Sequence, residues 1–210
     1  MNTTLCLVRH GETPWNAERR LQGHIDIPLN DHGRAQARAT AAMLEGKRFD
    51  AIYSSDLARA LETAHNIAGG AKPVTLPALR ERHYGSFQGL TYEEARRNLP
   101  DVYAAFETRN PSFEFPGGGE SLLAFRSRVE GAMQSLAHRH AGQQVLIVTH
   151  GGVLDIVHRM VTSKPLEAPR DFKMPNAALN WVMHGPEGWA LIAWAETAHL
   201  PAARDELPNA

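Results

Sequence analysis

Two short apolar runs each end in a histidine and a glycine, and together they constrain most of what this chain can become. Leu5-Cys6-Leu7-Val8 runs into Arg9-His10-Gly11, and Val145-Leu146-Ile147-Val148 runs into Thr149-His150-Gly151-Gly152. A short continuous apolar run is the signature of a strand covered on both faces, as in parallel sheets flanked by helices. In open sheets of that kind the carboxyl ends of the strands are where ligands bind. Both runs therefore deliver an imidazole to one edge, the first beside a guanidinium. Arg offers a planar fork of N–H donors suited to phosphate oxygens. Neutral imidazole can act as nucleophile or base at cellular pH. Gly11 reads as a sharp turn with no side chain in the way of a ligand.

The rest of the chain alternates between strand and helix patterns. Residues 13–29 read as irregular loop, broken by Pro14, Gly23 and Pro28. Asn30 or Asp31 can cap a helix running to about Glu45. A second strand over 49–53 closes on Ser54-Ser55-Asp56, and a helix over 56–68 carries Arg59 one turn in. Residues 72–76 form a third strand, and 79–90 a glycine-punctuated polar loop. Helical spacing over 93–109 is broken once by Pro100, and 110–119 is a Pro/Gly connector. Leu122, Phe125, Val129, Met133 and Leu136 mark an amphipathic helix. A helix over 153–161 and strands over 177–183 and 189–194 complete the chain. The expected fold is α/β, a three-layer α/β/α sandwich with a mainly parallel central sheet and a small helical lid insertion. A single domain spans 1–197, with the lid at about 91–119 and a loosely held tail over 198–210.

Bulk properties bound the function. With 22 basic and 23 acidic residues among 210, the net charge is −1, which argues against a nucleic-acid binder relying on a broad basic field. The single cysteine, Cys6, excludes an intramolecular disulfide. No run has the length of a signal peptide or a membrane span, so a cytoplasmic protein with no membrane partner is expected. Eleven histidines raise the question of a metal, but none falls in HExxH and there is no CxxC. No metal is expected.

Three strand ends thus carry Arg9 and His10 with Asn16 close behind, then Ser54-Ser55 with Arg59, then His150 with Gly151. Gathered on one edge with helix N-termini, they would make a receptor for a dianionic phosphate. The segments LVRHGETPWN, SSDLARALETA, ERHYGSFQGL, PGGGES and VTHGG, in that order over residues 3 to 195, resemble the histidine phosphatase superfamily. That group holds cofactor-dependent phosphoglycerate mutases and many small-molecule phosphatases. The resemblance implies that His10 is the nucleophile, that Arg9, Arg59 and His150 bind the phosphoryl group, and that Glu81 is the acid. It also implies phosphate contact from Asn16 and a pocket border at Gln22-Gly23. Arg82, His83 and Tyr84 are next to the acid, with Arg82 and Tyr84 candidates for touching substrate.

The chemistry fits this from below. Phosphoryl transfer asks the protein mainly for positioning and charge stabilisation. His10 would form a phosphohistidine, with Arg9, Arg59 and a protonated His150 on the equatorial oxygens. Such cations replace magnesium. Glu81 would protonate the leaving alkoxide and then activate water. The expected activity is hydrolysis of a small phosphate monoester, without cofactor, by a monomer or homodimer. The alternatives are a phosphoglycerate mutase requiring 2,3-bisphosphoglycerate, favoured by ERHYG at 81–85, and a non-catalytic phospho-ligand module. The short lid, without a Trp-Arg-Arg cluster, favours the phosphatase. Glu62 could pair with Arg59 or another base, and Asn176 fits turn chemistry as well as a ligand contact.

Overall fold

The two apolar runs lie side by side at the centre of a six-stranded sheet. The computed structural model describes residues 1–200. In chain order the strands are β1 (Thr3–Arg9), β2 (Ala51–Ser54), β3 (Val74–Thr75), β4 (Gln144–Thr149), β5 (Leu179–Gly185) and β6 (Gly188–Glu196). The helices are α1 (Pro14–Ala17), α2 (Asp31–Met43), α3 (Ala58–Ile67), α4 (Tyr92–Asn98), α5 (Pro100–Glu107), α6 (Leu122–Arg139) and α7 (Gly151–Thr162). The sheet order is β3-β2-β4-β1-β5-β6. The first four run parallel, with Arg9 opposite Thr149, while β5 and β6 are antiparallel additions.

Side-chain alternation along the central strands sorts the two layers of helices. Leu5, Leu7, Val145 and Ile147 point into a core shared with Phe125, Val129 and Met133 of α6 and Val153, Leu154 and Val157 of α7. Cys6, Val8, Leu146 and Val148 face the opposite core, with Ala60 and Ala64 of α3 and Leu44 beyond α2. Each of these strand residues is fully buried, worth about 1.5–3 kcal/mol for a large aliphatic side chain. The α/β class with helices on both faces is therefore built by two stretches of period-two packing. Burial pushes the Cys6 thiol far above its ordinary range.

Local chemistry explains where elements begin. Asn30 caps α2 by accepting from the Gly33 N–H, and Ser121 caps α6 by accepting from Ala124. The stretch read as loop from residue 13 contains α1. The Thr13 side chain accepts from the Asn16 N–H while the Asn16 side chain accepts from Thr13, so Pro14 starts a helix rather than breaking one. The helical pattern over 93–109 is two helices, because Pro100 opens α5 as its first residue. The helix expected from 153 begins at Gly151, so both glycines of VTHGG belong to its first turn.

The segment between β3 and α6 carries α4, α5 and a small core of its own. Leu21, Tyr84, Phe87, Ala95, Tyr103 and Phe115 pack together there. The Arg20 guanidinium pairs with Glu94 of α4 and also donates to the Gly89 carbonyl, tying this lid to the loop after α1. At the other end of the chain, His199 Nε2 lies 3.1 Å from the Ala177 carbonyl and Leu200 is buried. The remainder of the tail expected over 198–210 falls outside the described residues.

The loop after β1 is held against the start of α2 by two glycines. A side chain on Gly11 would overlap the Gly33 carbonyl, and one on Gly33 would overlap the Glu12 carbonyl. Gly11 is thus required by this backbone approach, not by room for a ligand. Gly33→Ala is expected to cost about 1–3 kcal/mol through overpacking and to lower the midpoint of thermal unfolding. Gly131→Ala, on the exposed face of α6 with open space around it, should raise stability by about 0.5–1 kcal/mol. Thermal melts of the two variants beside the native chain check both signs.

Candidate active site

β1 ends with its last two residues pinned from three sides. The His10 N–H donates to the Thr149 carbonyl at 2.9 Å, and the His10 carbonyl accepts from Asn176 Nδ2 at 2.9 Å. Asn176 therefore holds the backbone of His10 from the loop before β5. The Gly11 N–H donates to Thr63 Oγ1, which in turn donates to the Arg59 carbonyl. His10 Nδ1 donates to the Gly11 carbonyl at 2.7 Å. A carbonyl can only accept, so Nδ1 carries the proton and Nε2 keeps its lone pair. His10 is 3% exposed, and the tautomer is set by its own loop.

The second histidine stands across from the first. The rings of His10 and His150 are 5.1 Å apart, and His150 Nε2 lies 2.8 Å from Ser55 Oγ at the end of β2. His150 Nδ1 and Arg59 Nε are buried with no protein partner. Arg9 and Arg59 are each 1% exposed. Arg9 donates to the Met174 carbonyl, while Arg59 donates to the carbonyls of Gly23 and Ile25. These carbonyls orient both guanidiniums. Burial first, and then Arg59 and Arg9, hold His10 well below the ordinary imidazole range. Burial, Arg59, His10 and Arg9 do the same for His150. Burial and the neighbouring cations thus favour the neutral ring, and the protonated His150 expected from sequence would need an anion beside it. Arg59 itself is lowered to about 10 by burial, against the nearby carboxylates of Glu81 and Asp26.

Glu81 faces this group from the other side. One carboxylate oxygen accepts the Arg82 N–H at 2.8 Å, and the other accepts the Gly152 N–H at 3.0 Å in the first turn of α7. The glycine at 152 is what allows this, since a side chain there would overlap Glu81 Oε1. Asn16 is buried, with Oδ1 engaged by Thr13, so only its amide nitrogen is left for other work. Gly23 takes a positive φ and presents its carbonyl to Arg59, and Gln22 is buried beside it. Gly151 opens α7. A cavity of about 770 Å³ opens against the lid, bordered by Arg82, the chain neighbour of Glu81, and by Tyr92, Phe106, Arg109, Phe113 and Asp155 among others. Arg82 borders that cavity, whereas Tyr84 is buried in the lid core against Phe115. Glu62 pairs with Arg34 and not with Arg59.

Ser55 stands at the strand end where the sequence places it, and Asn176, open between turn and ligand in the sequence, holds backbone. The sequence reading misses Thr63, although it stands one turn after Arg59 on the same helical face. His24 and Arg128 are brought in by topology alone; His24 Nε2 donates to the Glu81 carbonyl at 2.8 Å. Among the described residues, no group of three or more His, Cys, Asp or Glu is arranged to hold a metal ion. Nor is any described helix long and apolar enough to cross a membrane.

The two lowered histidines make stability depend on pH. Unfolded, both titrate near 6.5. Folded, they remain neutral well below that, so the unfolded chain binds more protons as pH falls through 6.5. Their contribution is complete above about pH 7 and is lost on acidification. Urea unfolding between pH 7.5 and 5 should show this fall, and His150→Gln should lower its slope by about one proton.

The family model of the histidine phosphatase superfamily (branch 1) matches residues 5–197. The chain is 41% identical over 202 residues to a metal-independent phosphoserine phosphatase of Arabidopsis thaliana, covering 94% of this chain and 83% of that protein. It is 40% identical over 201 residues to phosphoglycerate mutase-like protein 4 of the same plant, covering 93% and 86%. Among solved structures, the phosphoserine phosphatase of Entamoeba histolytica in complex with 3-phosphoglyceric acid superposes with a TM-score of 0.85. It is 29% identical, covering 94% of this chain and 99% of that one. The arrangement of Arg9, His10, Arg59, Glu81 and His150 stands on that fold, and the chain belongs to the histidine phosphatase superfamily.

Proposed function

We propose that this protein is a metal-independent phosphomonoesterase that hydrolyses a small phosphate ester through a phosphohistidine on His10. The observation that carries the reading is the pair of buried imidazoles beside the buried Arg9 and Arg59, with His150 Nδ1 and Arg59 Nε left without a protein partner. Unpartnered buried donors are costly, and phosphoryl oxygens would satisfy them. In this mechanism His10 Nε2 attacks phosphorus as the bond to the leaving alcohol breaks. Arg9, Arg59 and the amide of Asn16 hold the equatorial oxygens. An incoming dianion favours protonation of His150, which then offers its Nδ1–H to the same oxygens while its Nε2–H donates to the Ser55 hydroxyl. Glu81 gives its proton to the departing alkoxide. Its carboxylate then takes a proton from water as that water attacks the phosphohistidine and frees His10. The fixed guanidiniums supply the charge that a metal supplies elsewhere, and the metal-independent relative supports the same reading.

The cavity against the lid would receive the leaving alcohol. Its charged lining is Arg19, Arg82 and Arg109 against Glu18, Glu93, Glu107 and Asp155, three cations to four carboxylates. A mutase must hold a bisphosphorylated acid in this space, and that balance does not favour it. A small alcohol carrying polar groups of both signs fits better. Phosphoserine and 3-phosphoglycerate, found in the complexes of structural neighbours, are the first compounds to assay.

Purified protein should release phosphate from p-nitrophenyl phosphate with EDTA present, and rapid quench should trap an acid-labile phosphoenzyme. His10→Ala should abolish both. Turnover only with 2,3-bisphosphoglycerate, and only between phosphoglycerate isomers, would establish the mutase instead. The leaving group of p-nitrophenyl phosphate departs without a proton from Glu81. Because His10 is held neutral well below pH 6.5, kcat/KM for that ester should stay level from pH 8 to below 6, once the second ionisation of the substrate phosphate is allowed for. A break near 6.5 would contradict the assigned nucleophile.

A further inference from the structure

The carboxyl of Glu81 is only as well placed as the backbone that carries it, and one side chain outside the phosphate pocket fixes that backbone. Arg128, in the second turn of α6, commits all five of its N–H donors. Nε and one Nη2 hydrogen fork onto Glu120 at 2.9 and 2.7 Å. Nη1 donates to the carbonyls of Ala78 and Arg80, both at 2.9 Å, and Nη2 also reaches the Glu81 carbonyl at 3.2 Å. Glu120 continues the clamp on the far side, where its carboxylate accepts the His83 N–H at 2.9 Å and its backbone carbonyl accepts Arg82 Nε at 3.0 Å. Backbone groups before, at and after Glu81 are therefore tied to one ion pair. Both partners are about four-fifths buried, and the guanidinium lies over the Phe125 ring. Neither touches the Glu81 carboxyl.

We propose that Arg128, through Glu120, is a positioning residue for proton transfer by Glu81. The inference rests on the phosphatase reading, in which Glu81 protonates the leaving oxygen as the P–O bond breaks and the P–N bond to His10 forms. A planar fork reaching three carbonyls and a carboxylate cannot be replaced by an ammonium. Loosening it lets Glu81 drift from the line between phosphorus and the departing oxygen. Proton donation of this kind is worth about 10²–10⁴ in rate, and it matters only when the leaving group is a poor one. An alkoxide needs the proton, whereas p-nitrophenolate departs without it.

The test compares kcat/KM for an alkyl ester, the best found in a panel of phosphorylated alcohols and acids, with that for p-nitrophenyl phosphate. It uses the native chain, Glu81→Gln, Arg128→Lys and Arg128→Ala. Glu81→Gln is expected to lose about 10²-fold or more on the alkyl ester and far less on the aryl ester. The Arg128 variants should show the same split, with Lys failing to restore the native ratio. Arg128→Lys keeps the charge and the packing over Phe125, so the comparison survives if the alanine variant does not fold. Equal losses on both esters in Arg128→Lys would reduce the clamp to general support and overturn the proposal. A normal split in Glu81→Gln with native ratios in Arg128→Lys would overturn it while leaving the phosphatase reading intact. Absence of the split in Glu81→Gln would remove the acid itself, and an inactive native chain would remove the parent reading.

Discussion

Two guanidiniums sealed inside the protein, Arg9 and Arg59, set the terms for everything around them. A buried positive charge is expensive unless it is paired or ringed by dipoles. Here backbone carbonyls from Gly23, Ile25 and Met174 are among the groups that orient the two charges. The result is a small region of positive potential in low dielectric. In that field both histidines stay neutral, and an anion entering the space gains more than it would at the surface. The core exists in part to hold these cations in place: β1 and β2 bring them to one edge, and four buried central-strand residues on each face lock the strands.

That part of the molecule was legible because it is encoded locally. Apolar runs ending in Arg-His-Gly and Thr-His-Gly-Gly announce strands, their parallel arrangement and the edge at which the polar groups meet. Asn30 and Ser121 announce the starts of α2 and α6, and Pro100 marks a break in the lid. What stayed hidden depends on partners distant in sequence or on reciprocity. Thr13 and Asn16 cap one another, which turns Pro14 from an apparent breaker into an initiator. The glycines at 151 and 152 stand just before the helix expected from 153, yet both belong to its first turn, and a side chain at 152 would overlap Glu81 Oε1. Arg128 sits among polar residues of an amphipathic helix, and nothing in that pattern says three of its donor hydrogen bonds reach a loop some 47 to 50 residues earlier in the chain.

The division of labour between the layers follows the chemistry. The sheet edge carries the groups proposed to meet the phosphoryl oxygens, which need rigidity. The loop from 78 to 83 carries Glu81, the proposed proton donor, and is braced from α6, while the lid, with its separate aromatic core, forms much of the cavity wall. Separate cores let the lid vary its lining without disturbing the charged pocket. Helix α7 bridges the two, with Gly151 and Gly152 at the pocket and Asp155, one turn on, at the cavity.

The antiparallel strand β5 lies directly against β1, and the residues just before it complete the nucleophile's seat. Arg9 reaches the Met174 carbonyl, the Ala177 N–H binds the Arg9 carbonyl, and Asn176 grips His10. A motif at the end of β1 is thus completed by residues some 165 positions further along the chain. A stretch carrying everything through α7 would own Arg9, Arg59, Glu81 and His150 and still lack this outer wall, so the pocket cannot be finished by the parallel strands of the sheet alone.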